Sequence, residues 1–86
     1  MKSKISSISV DGSDYLNAQQ VSLLFQRLTG QELRVVDCLV VGLSYKLIAD
    51  RLGLSMNTVC FHIKNTYRKL GVNSKVEVVL LWSNQT

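Results

Sequence analysis

The sequence predicts an all-α fold, and three observations carry that prediction. No proline interrupts its 86 residues. Apolar residues recur three and four apart from residue 21 onward, the spacing of a single helix face. Side chains that cap helices, Asn17, Thr29, Ser44, Ser55 and Ser74, stand ahead of the apolar stretches, and Gly42, Gly53 and Gly71 follow three of them, as helix ends require.

Residues 1 to 16, MKSKISSISVDGSDYL, are rich in serine and contain DGSD; they read as a flexible arm or linker. From Asn17 the pattern becomes helical. Val21, Leu24, Phe25 and Leu28 predict a short helix over 18 to 28. Thr29 with Glu32 three residues on is a capping box, each side chain satisfying a backbone N–H of the other. Leu33, Val36, Leu39 and Val40 form the stripe of the helix that follows, which ends near Gly42. Ser44 heads a shorter helix with Tyr45, Ile48, Ala49 and Leu52 inward, stopped at Gly53.

Ser55 opens the longest helix, which runs to Leu70 and is closed by Gly71. Val59, Ile63 and Leu70 share its inner face, while Asn57, Cys60, Phe61, Lys64 and Arg68 lie on another. Ser74, with Glu77 three residues on, caps a last helix carrying Val76, Val79 and Leu80 to about Trp82. Two helices joined by about three residues, with glycine in the turn and a longer basic second member, match a helix-turn-helix.

A chain of this length holds one domain with a small core. Its longest apolar run, VEVVLLW at 76 to 82, contains a glutamate and falls far short of a membrane span. Residues 1 to 10 lack the apolar centre of a signal peptide, so the chain is expected to be cytoplasmic, with Cys38 and Cys60 as free thiols. The net charge of +4 is unevenly placed. Residues 44 to 75 hold Lys46, Arg51, Lys64, Arg68, Lys69 and Lys75 against Asp50 alone, whereas bases and acids balance over residues 1 to 43. Such a block suits a polyanion.

Catalytic residues are not expected. His62 is the one histidine, and Cys60, two residues away, points about 200° around a helix from it. Asp37 can approach His62 only through the fold. Two cysteines and one histidine without clustered spacing do not make a zinc site, and neither common phosphate-binding glycine loop is present, so no metal or cofactor is expected. Double-stranded DNA needs little that is absent: a helix fits the major groove and its early residues reach base edges. Ser55, Thr58 and the first-turn N–H groups suit a phosphate, and Ser74 with Lys75 offers a second such point. The alternative is that Lys64, Arg68 and Lys69 are merely solvated charges on a surface helix.

Residues 28 to 79 bear on that choice. They contain LT-x-x-E at 28 to 32, GLS-x-K-x-IA at 42 to 49, L-x-x-S-x-x-TV-x-x-H at 52 to 62 and KL at 69 and 70. In this order and spacing they resemble the DNA-binding domain of the LuxR/FixJ (NarL-type) bacterial transcription regulators. The resemblance implies a four-helix domain with a short extra N-terminal helix or arm, the domain covering 17 to 86 with its core match at 28 to 80. It implies DNA base reading at Cys60, Phe61 and Lys64, phosphate contacts at Thr58, His62, Arg68, Ser74 and Lys75, and self-association of the last helix through Val76, Val79 and Leu80.

It further implies a sequence-specific regulator that recruits or obstructs RNA polymerase as the output domain of a two-component response regulator. DGSDYLNAQQVSLLFQR is similar to the segment that follows a receiver in such proteins, so an N-terminal receiver domain is expected to be missing from this chain. Four residues depart from the family pattern. Gln31 stands for a usual arginine, Leu47 for glutamate, Thr66 for isoleucine and Cys60 for lysine. Leu47, Cys60 and Phe61 also suggest an alternative, a degenerate helix-turn-helix fold that acts as a protein-interaction module without tight DNA binding.

Overall fold

Each helix begins where a side-chain oxygen meets a backbone N–H that the helix itself leaves unpaired. The computed structural model describes residues 17 to 85; the arm expected over residues 1 to 16 lies outside them. The order is α1 (Ala18–Gln26), α2 (Gly30–Val40), α3 (Tyr45–Leu52), α4 (Met56–Leu70) and α5 (Lys75–Ser83), with no strand among the described residues. Asn17 and Gln20 cap α1 reciprocally, and Thr29 and Glu32 cap α2 in the same way. Ser44 accepts from Leu47 N–H without a return bond, the consequence of leucine at that position.

The turn of the helix pair is set by Gly53, at φ 68°, a left-handed conformation that costs glycine little and other residues more. It allows Leu54 N–H to close back on Ala49 C=O at 2.9 Å, ending α3 so that Ser55 can start α4. Gly71, at φ 72°, ends α4 by the same geometry, with Val72 N–H on Tyr67 C=O at 3.0 Å.

Helix α2 is the hub, packed against α3, α4 and α5, while α1 touches α4. That position explains a difference from the expected stripe. Val35, Val36, Cys38 and Leu39 are buried, whereas Leu33 and Val40 are half-buried, because neighbours on several sides cover more than one face. Similarly, α1 ends two residues earlier than its apolar pattern: Leu28 is buried beyond the helix, in a tight turn with its N–H on Phe25 C=O. Phe25 meets Trp82 of α5 edge-on at 5.1 Å, joining the first helix to the last.

Helix α5 is anchored in the core by a residue outside the set Val76, Val79 and Leu80. Its core residue is Val78, fully buried, while Val76 and Leu80 are 66% and 58% exposed and Val79 is half-buried. The expected Ser74–Glu77 capping box is also displaced: Ser74 Oγ accepts from Glu77 N–H at 3.3 Å, but Glu77 Oε1 accepts from Asn73 N–H at 2.6 Å. The glutamate reaches one residue further back than the motif predicts.

One ion pair ties distant elements together among the described residues. Lys69 Nζ, near the end of α4, lies 2.8 Å from Glu32 Oε1 at the start of α2, and the same oxygen accepts from Thr29 N–H at 2.9 Å. Burial pushes the Glu32 carboxyl up, but the Lys69 ammonium and the bonds from Thr29 outweigh it and hold the group below its ordinary value of 4.5. A carboxyl lowered on folding favours the folded state fully above its unfolded value, and that contribution is lost as pH falls through the folded one. Unfolding in urea should therefore become easier as pH drops below about 4.5. Glu32→Gln should cost about 1–3 kcal/mol at neutral pH and flatten the acid limb.

Candidate nucleic-acid interface

Helix α4 divides its circumference between two tasks. Val59, Ile63, Thr66 and Leu70 are buried, and Val59, Ile63 and Leu70 belong to the core cluster; each such aliphatic side chain contributes about 1.5–3 kcal/mol by leaving water. Thr66, where the family pattern has isoleucine, is fully buried with its Oγ1 donating to His62 C=O at 2.7 Å, so its hydroxyl is satisfied. The other side carries Asn57, Cys60, Phe61, Lys64 and Arg68, all exposed. No aspartate or glutamate occurs anywhere in α4.

The start of α4 is rigidly set. Ser55 Oγ accepts from Thr58 N–H at 3.1 Å and donates to Thr58 Oγ1 at 2.9 Å, which leaves the Thr58 O–H able to donate outward. His62 is half-buried at the edge of the exposed face, with its ring 5.6 Å from that of Phe61. Lys64 and Arg68 have no ion-pair partner among the described residues. Lys69 differs from them, since its bond to Glu32 makes it a structural cation. Of the three charges that a solvated-surface reading groups together, one belongs to the fold.

Ser74 and Lys75, at the start of α5, form the second predicted point; Ser74 is exposed and Lys75 half-buried, with the Glu77 carboxylate in the same first turn. Val76 and Leu80 lie one turn apart on an uncovered side of α5. The predicted site residues therefore fall on the surface in two groups, one along α4 and one along α5.

Sequence reading missed one contact at the helix pair. The Tyr45 and Tyr67 hydroxyls lie 3.5 Å apart, joining the first turn of α3 to the last turns of α4. Burial and then the Tyr45 hydroxyl push the Tyr67 phenol well above its ordinary value. A separation of 22 residues leaves no local pattern that would reveal the pair. Asp37 lines a shallow hollow between α2 and α3 with Arg34 and Arg51, and is not gathered with His62. Cys38 is buried and Cys60 exposed, both as free thiols. Among the described residues no three histidine, cysteine or acidic side chains are grouped to hold a metal, and no helix is long and apolar enough to cross a membrane.

A tight helix pair whose second member offers an acid-free face with two cations unpaired among the described residues is the architecture of a helix-turn-helix DNA-binding domain. The family model for bacterial regulatory proteins of the luxR family matches residues 26 to 82, and the chain belongs to that family, one of DNA-binding transcription regulators that are not enzymes. It is 46% identical over 61 residues to the nitrate/nitrite response regulator protein NarP of Escherichia coli, covering 71% of this chain and 28% of that protein. It is 45% identical over 51 residues to the transcriptional regulatory protein UhpA of the same species, covering 59% and 26%.

Among solved structures, the response regulator StyR superposes with a TM-score of 0.71 at 38% identity, over 76% of this chain and 33% of that one. The chain thus spans between a quarter and a third of the length of these relatives.

Cys60 stands exposed where the family pattern has lysine, so restoring the cation should not disturb the core. Cys60→Lys is expected to leave the thermal midpoint unchanged, tighten binding to random duplex at low salt, and steepen its salt dependence by about one unit. Fluorescence anisotropy across a salt series checks both.

Proposed function

We propose that this chain is the sequence-specific output domain of a two-component response regulator, with α4 in the major groove of duplex DNA. The outer face of α4 carries the proposal: five exposed residues, no acid, and two cations without partners among the described residues. In this reading Cys60, Phe61 and Lys64 face base edges. Thr58, His62 and Arg68 meet phosphates beside them, and Ser74 and Lys75 meet a phosphate from the start of α5, where unpaired N–H groups favour an anion.

Val76 and Leu80, with half-buried Val79 beside them, then provide the surface on which two copies pair across inverted half-sites. Exposed apolar residues one turn apart suit such a contact. Residues 17 to 86 serve as the DNA-binding domain and residues 1 to 16 as the link to a preceding receiver, as befits a chain that covers 28% of NarP. Output is the recruitment or obstruction of RNA polymerase and involves no chemistry on the DNA.

A second reading is a protein-interaction module that kept the fold and lost tight DNA binding. It is favoured by the exposure of Leu47 and Phe61 and by the missing charge at Cys60. Salt separates the two. A domain that neutralises three or four phosphates loses roughly 40- to 150-fold in affinity for random duplex between 50 and 200 mM salt; an interaction module binds at neither. On a site selected from a random duplex pool, Lys64→Ala should weaken binding and relax base preference. Lys75→Ala should weaken binding evenly across sequences and lower the salt slope by about one unit. Unchanged binding by both variants would contradict the assignment of these faces.

A further inference from the structure

The second turn of α4 places two side chains side by side that offer water almost nothing. Phe61 is 61% exposed, and among the described residues the one ring it meets is that of its neighbour His62, at 5.6 Å and 64°. The Phe61 ring is thus outside the core cluster. Cys60 beside it is exposed too, and a thiol is at best a weak hydrogen-bond donor. Strong donors on this face begin again only at Lys64, one turn on, with the Asn57 amide one turn before.

The floor of the major groove presents hydrogen-bonding groups at every base edge and a single kind of apolar group, the methyl on C5 of thymine. An aromatic ring pressed onto the polar edges would strip them of water without replacing their hydrogen bonds, which costs free energy. Pressed onto a methyl, ring and methyl both leave water. The chemistry of positions 60 and 61 therefore selects one class of base.

We infer that Cys60 and Phe61 make the half-site of this domain a 5-methylpyrimidine site, with thymine, or 5-methylcytosine in its place, opposite Phe61. The inference rests on α4 entering the major groove as proposed above. Lys64 supplies the polar contact of the same half-site, its ammonium suiting guanine O6 and N7. 5-Methylcytosine carries the same methyl on the same ring carbon, so a C·G pair at that place becomes a better ligand when methylated. Loss of the family's lysine at position 60 then exchanges a cation contact for an apolar one.

The test uses the full 86-residue chain and a duplex selected from a random pool, with each thymine replaced in turn by deoxyuridine, which removes the methyl and keeps base pairing. Affinity should fall about fourfold per contacted methyl, the worth of one buried carbon, at one or two neighbouring positions in each half-site. Placing 5-methylcytosine at a sensitive position should bind better than cytosine there. Phe61→Ala, at an exposed site, should keep the fold and lose most of the thymine–uracil difference at the position opposite residue 61.

If no thymine is sensitive, or if Phe61→Ala remains as sensitive as the parent chain, the inference is overturned while salt-dependent binding to random duplex still stands. If the chain binds no duplex in a salt-dependent way, the groove-binding reading falls and takes this inference with it.

Discussion

The carboxylate of Glu32 is where the start of α2 and the end of α4 are joined. It accepts from Thr29 N–H and from the Lys69 ammonium on one oxygen, so the cap that starts α2 and the last turn of α4 share an atom. Buried at 4% exposure, it is costly to leave unpaired. Together with the buried Val59, Ile63, Thr66 and Leu70, the bond holds α4 in one setting about its own axis. A rotation by one residue, about 100°, would carry Lys69 away from Glu32 and bring Cys60 toward the core.

Around that tie, the fold separates stability from recognition. Val59, Ile63, Thr66 and Leu70 hold α4 to the body of the domain. The outward residues Asn57, Cys60, Phe61, Lys64 and Arg68 are exposed, so charge, thiol and aromatic ring can occupy them without cost to packing. The short turn at Gly53 and the Tyr45–Tyr67 contact keep α3 and α4 at one mutual setting. A base-reading helix requires such rigidity, because hydrogen bonds to base edges tolerate little misplacement.

Helix starts were legible in the sequence because caps are local: Asn17, Thr29, Ser44, Ser55 and Ser74 each act on N–H groups within three residues. The outer face of α4 was legible for the same reason, since a 3.6-residue period places Cys60, Lys64 and Arg68 together whatever lies beneath. What the sequence could not show depends on partners far along the chain. The wide burial of α2 comes from three neighbouring helices, and the structural role of Lys69 from a residue 37 positions away. In α5 every position from Val76 to Trp82 except Glu77 is apolar, so no period distinguishes buried Val78 from exposed Val76 and Leu80.

Membership of the luxR family and the separation of faces on α4 lead to one central claim, that DNA meets the outer side of α4. Backbone amide shifts of the isotope-labelled chain, titrated with a selected duplex, test it most directly. The largest changes should fall on Asn57, Cys60, Phe61, Lys64 and Arg68, with a second group at Ser74 and Lys75, while Val35 and Leu39 in the core of α2 stay in place. Changes concentrated on the α2–α3 hollow around Asp37 and Arg51, with α4 unmoved, would contradict it.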